Sequence, residues 1–74
     1  MSARPCIHEH DVVTLTHPVE GWPAGTRGTV VDHRGGRFVV EVPEKRGGDL
    51  GLIVAARDDL ALAVPYGVQR AASA

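Results

Sequence analysis

Four histidines, one cysteine and nine carboxylates are the side chains with which this chain of 74 residues could do chemistry. The densest run is His8-Glu9-His10. In extended backbone, residues i and i+2 share a side. The two imidazoles, with Cys6 or Asp11 beside them, would then offer the donor types of a Zn²⁺ or Ni²⁺ site. A closed site needs about four fixed ligands, and a segment ahead of the first strand does not fix them. The plainer reading is a solvated lead-in to the fold, and no metal and no cofactor are expected. Asp32-His33, with His17 elsewhere in the chain, has the composition of an acid–base pair, because imidazole titrates near neutrality. Scattered histidines are more often surface residues, so no catalytic residue is expected. Asp58-Asp59 offers acceptors either to a cation or basic partner or to the amides of a helical turn; the second use is the commoner one. Gly47-Gly48 follows Glu44-Lys45-Arg46 but lacks the Gly-Lys-Ser/Thr that cradles phosphate at a helix start.

The elements that would position these groups are short and extended. Nine Gly and five Pro divide the chain into pieces too short for long helices. Asp11 to Thr16 reads as a first strand, with Val13 and Leu15 on one face and Val12, Thr14 and Thr16 on the other. A long loop, HPVEGWPAGTRG, follows, in which Gly25 and Gly28 can supply positive φ or a bulge. Thr29–His33 and Arg37–Val42 read as a hairpin around Arg34-Gly35-Gly36. In its second strand Glu41 marks the outer face, so Phe38, Val40 and Val42 face the core. Pro43 should end that strand and open a charged loop, PEKRGGDLG. Leu50 to Ala55 reads as a fourth strand; its unbroken apolar run also suits a short buried helix, but Gly51 and Ile53-Val54 favour the strand. Arg57 to Leu60 forms one helical turn, and a last strand runs from Leu60 to Val64, stopped by Pro65.

Size and charge bound the rest. The expectation is one domain over residues 7–66 with flexible termini at 1–6 and 67–74. A core this small is marginal alone, so self-association would supply burial that one chain lacks. A single cysteine excludes an intrachain disulfide and points to a reducing compartment. With no leader and no long apolar run, a soluble cytoplasmic protein is the expectation. A net charge of −1 and only three aromatic residues speak against a nucleic-acid surface.

The expected fold class is all-β: a small five-stranded SH3-like barrel with one short helical turn before the last strand. The residues Asp11-Val12-Val13-Thr14-Leu15, Pro18 and Gly21, Ala24-Gly25, Gly28-Thr29-Val30-Val31, Phe38-Val39-Val40-Glu41-Val42, Gly51 and Leu60 carry that pattern. With them the chain resembles a family of small stand-alone bacterial SH3-like proteins, the domain of unknown function 4926. The resemblance implies a fold and no activity, and the chain departs from it at LGLIVAA. The stretch Gly25 to Val31 is also similar to KOW-type modules, whose RNA contacts imply the basic, aromatic loops missing here. Type II dihydrofolate reductases are SH3-like chains of similar length that build one pore from four copies. Their Val-Gln-Ile-Tyr motif would fall near Gly51-Leu52-Ile53-Val54, which has neither the Gln nor the Tyr, so no catalytic residue carries over.

Three functions follow in order. The first is a non-enzymatic, self-associating protein-interaction module, contacting its partner through Val19, Trp22 and Pro23 of the long loop and through Glu44 and Asp49. Trp22, between Gly21 and Pro23, either caps the core or anchors a partner. The second is an oligomeric pore for a small molecule, lined by Leu52, Ile53 and Val54. The third is a nucleic-acid module using Arg27, Arg34, Arg37, Lys45 and Arg46.

Overall fold

The computed structural model describes residues 6–46 and 49–68. Five strands form one antiparallel sheet: β1 (Val12–Leu15), β2 (Arg27–Arg34), β3 (Arg37–Arg46), β4 (Asp49–Ala56) and β5 (Leu60–Val64). A single 3-10 turn, Arg57–Asp59, precedes β5. The spatial order is β4-β3-β2-β1-β5. The all-β class, the five strands and the turn before the last one are as the breakers and alternation predicted. Closure is not: β4 and β5 stand at opposite ends of the ladder and do not pair, so the sheet is open. It nevertheless wraps one core. Ile53 of β4 and Leu60 of β5 belong to the same buried cluster as Val13, Leu15, Val30, Phe38, Val40 and Val42.

The open β4 edge is covered by carboxylates. An exposed strand edge invites pairing with other chains. Here the amide of Val54 donates to Glu20 Oε2 at 3.3 Å, and that of Ala56 to Asp59 Oδ2 at 3.2 Å. Of the Asp58-Asp59 pair, Asp59 does the capping expected, accepting the amide of Ala56 before the turn, while the Asp58 backbone carbonyl accepts the Thr16 hydroxyl.

Two segments differ from expectation. Pro43 does not end β3. The strand continues to Arg46 and pairs with β4 through Lys45↔Leu50 and Arg46↔Asp49, after a break in register between Val42 and Lys45. A bulge leaves a residue outside the ladder, so the missing proline amide costs no bond there. The charged loop is therefore the far end of a long hairpin. The long loop before β2 is also more ordered than a plain connection. Val19 and Trp22 exchange two backbone bonds of 2.9 Å around Glu20-Gly21, with φ of 50° and 83°. Both values suit a type I′ turn; for glutamate this left-handed backbone is unusual.

Both ends of the described chain are fastened by one acid. Asp11 is 4% exposed. Its Oδ2 accepts the amide of His8 and its Oδ1 the amide of Tyr66, each at 2.8 Å. A buried carboxylate is tolerable only when so bonded. Ile7 enters the core beside it, and Tyr66 starts a helical stretch over 66–68. Of the termini expected to be flexible, residues 1–5 and 69–74 lie outside the described residues.

Candidate functional site

Strand alternation sorts β3 and β4 into two faces. Phe38, Val40 and Val42 on β3 and Ile53 and Ala55 on β4 point into the core. Arg37, Val39 and Glu41, with Leu52, Val54 and Ala56, occupy the outer face. The register places them in three cross-strand pairs: Arg37 beside Ala56, Val39 beside Val54, and Glu41 beside Leu52. Leu52 is 60% exposed and Val54 46%. Val31, at the register break of β2, adds another exposed aliphatic side chain. The result is an apolar band with a cation at one end and a carboxylate at the other. Arg37 and Glu41 stand four residues apart on one strand, about 13 Å at the usual rise.

The residues expected at a pore therefore do not act together. Ile53 is fully buried and belongs to the core, because its neighbours in sequence take the outer face. The partner surface expected on the long loop is also rearranged. Trp22 is only 7% exposed. Its six-membered ring lies where a side chain at residue 51 would point, so any Cβ at Gly51 would collide with it. Trp22 thus caps the core, the first of its two expected roles. Val19 packs half-buried against the same cluster, and Pro23 is left exposed. Glu44 and Asp49 lie on the β3–β4 hairpin, and their side chains are outside the described residues. Of the residues expected on the loop surface, Trp22 and Val19 pack inward; of the three to which the apolar excess of LGLIVAA pointed, Leu52, Ile53 and Val54, the first and last face out.

The chemical runs are dispersed as well. His10 has φ of 76° and its ring lies 5.1 Å from that of Tyr66. His8 and His10 therefore sit in a turn, not on one side of an extended chain. Among the described residues, no group of three or more His, Cys, Asp and Glu side chains is placed to hold a metal ion. Asp32 bonds the backbone amide of His33 and pairs with Arg34 Nε at 3.0 Å, while the His33 ring stacks on Phe38 at 4.1 Å. The pair is used structurally. Of the basic residues expected at a nucleic-acid surface, Arg27 and Arg34 occupy opposite ends of β2, and the side chains of Lys45 and Arg46 are outside the described residues.

The surface also carries shallow grooves. One, of about 350 Å³, is bordered by Val12, Arg27, Gly28, Thr29, Pro43 and Val64. Another, of about 400 Å³, lies where the segment before β1 passes the β2–β3 hairpin, and is lined by Cys6, Ile7, His8, His33, Gly36, Phe38 and Arg57. Among the described residues, no helix is long and apolar enough to cross a membrane. No family model, no curated protein and no solved structure matches the chain.

Proposed function

We propose that this protein is a non-enzymatic interaction module that associates with a second copy of itself through the outer face of β3 and β4. The carrying observation is the order of side chains on that face: Arg37, then Val39 against Val54, then Glu41 against Leu52. A two-fold axis through the Val39–Val54 pair would set Arg37 of each copy over Glu41 of the other. Such a surface is complementary to itself, which is what an isologous dimer requires. The aliphatic centre supplies the apolar area, and the flanking charges set the register. The β4 edge is a poorer route to pairing, since Glu20 and Asp59 already occupy its Val54 and Ala56 amides.

Light scattering on size-exclusion fractions tests the proposal. A dimer is expected for the parent chain, and a monomer for Leu52→Asp. Arg37→Glu alone should weaken the dimer by facing two carboxylates, and adding Glu41→Arg in the same chain should restore it. A parent chain that stays monomeric at high micromolar concentration would refute the proposal.

A further inference from the structure

We infer that Asp11 is a two-ended clasp: its carboxylate couples the segment before β1 to the segment after β5, so that releasing either one loosens the other. The two segments are far apart in sequence and meet at one place. Ahead of β1, Ile7 is buried in the core. Residues 8–11 then turn, with the Asp11 amide donating to the His8 carbonyl at 3.2 Å and the His10 amide to the Val30 carbonyl at 2.7 Å. After β5, Pro65 has no amide to give, so Tyr66 supplies the first one past Val64. Tyr66 opens the helical stretch over 66–68, in which the Val68 amide returns to the Pro65 carbonyl at 3.1 Å. An amide at such a start has no acceptor within its own turn.

The two segments place their amides on opposite oxygens of one acid, His8 on Oδ2 and Tyr66 on Oδ1, each at 2.8 Å. The Asp11 side chain is only 6% exposed. Its backbone is pinned to β2, where the Asp11 carbonyl accepts the Val30 amide at 2.9 Å, so the acid cannot follow a departing segment. A buried carboxylate oxygen that loses its donor carries a desolvation penalty. When Tyr66 leaves, the carboxylate therefore gains by turning Oδ1 toward water, and that turn strains the bond from His8. The same holds in reverse when His8 leaves. Direct contact adds to the coupling, since the His10 and Tyr66 rings lie 5.1 Å apart. The His8 ring, with Nδ1 3.9 Å from Oδ2, belongs to the N-terminal side of the clasp. The consequence is a conformational device: drawing the chain after Pro65 off the sheet also loosens the turn that seats Ile7 in the core. None of these residues lies on the outer face of β3 and β4, so the inference stands apart from self-association.

The test is amide hydrogen exchange of the full chain, read by NMR. Tyr66→Pro deletes the donor to Oδ1 at a position where proline suits the start of a helical stretch. It should speed exchange of the distant His8 amide by about tenfold, toward the lower end of couplings between two sites. Tyr66→Ala keeps the amide and removes the ring, and should speed it less. The Trp22 amide, bonded to Val19 within its own turn, should not change in either variant. If Tyr66→Pro does not fold, the parent chain in low urea decides: His8 and Tyr66 should exchange through one opening, with equal free energy and equal urea dependence. Three results would overturn the inference. They are an unchanged His8 amide in Tyr66→Pro, an equal effect of Tyr66→Ala, or separate openings for His8 and Tyr66 in the parent. A rise at Trp22 as large as that at His8 would also overturn it, since the effect would then be general loss of stability.

Discussion

The inner and outer faces of β4 differ by one residue in register and by almost everything in physics. Ile53 and Ala55 are nearly inaccessible, while Leu52 and Val54 stand in solvent on the other side. All four are aliphatic. The inner pair belongs to the buried cluster, and losing those atoms leaves a cavity. The outer pair lies beside Val39 and Glu41 across the strand and leaves about half of its surface in solvent. The same residue types thus serve stability on one face and, in the proposed dimer, would serve association on the other.

Substitutions can break that contrast, beginning where the effect is greatest. Trp22→Ala removes the ring that fills the space above Gly51, and should cost about 3–5 kcal/mol. Total stability in small domains is of order 5–15 kcal/mol, so the variant should lose a large share of its stability, read by circular dichroism as a markedly lower melting temperature. Ile53→Ala, on the inner face, should cost about 2–5 kcal/mol in urea denaturation. If it costs no more than Leu52→Ala, the two faces have been assigned the wrong way round.

Asp11→Asn keeps the shape of the clasp between His8 and Tyr66 but replaces one accepting oxygen by an NH₂ group. One of two amides buried against it is then left without an acceptor, at a cost of about 1–3 kcal/mol. Hydrogen exchange should rise first at Tyr66 and His8. On the outer face, Leu52→Asp should change monomer stability by only about 0.5 kcal/mol while abolishing the dimer. The smallest expected effect is Glu20→Gly. It relieves a left-handed glutamate by roughly 1 kcal/mol but adds unfolded-state freedom of similar size, so the melting point should hardly move. It also uncovers the Val54 amide, and the β4 edge should then show faster aggregation in light scattering. A variant that aggregates no faster than its parent would mean that Glu20 does not guard the edge.

Much of this was legible in the residues alone. Alternation sorts DVVTLT into two faces and, with Glu41 marking the outside, identifies the core-facing side chains of RFVVEV, because a strand that buries one face cannot slip by one residue without exposing its apolar set. Arg34-Gly35-Gly36 marks a tight turn, and the two glycines indeed take φ of 53° and 79°. The candidate face was half legible. The apolar excess of LGLIVAA said that something should cover it, but with no polar residue to mark the solvent side, the run could not say which of Leu52, Ile53 and Val54 faces out. Pro43 misled because a bulge, which depends on the partner strand, let β3 continue past it.

For this protein the amino-acid order by itself determined the all-β class, the number of strands, the two faces of β1 and the inward face of β3, since periodicity and turn chemistry are local properties. The tertiary structure decided three things that no local property contains. It left the sheet open, with Glu20 and Asp59 on the β4 edge. It chose the face of Leu52 and Val54 through pairing with β3. It also turned Trp22 inward, because only in the folded chain does Gly51, twenty-nine positions away, leave the space for its ring.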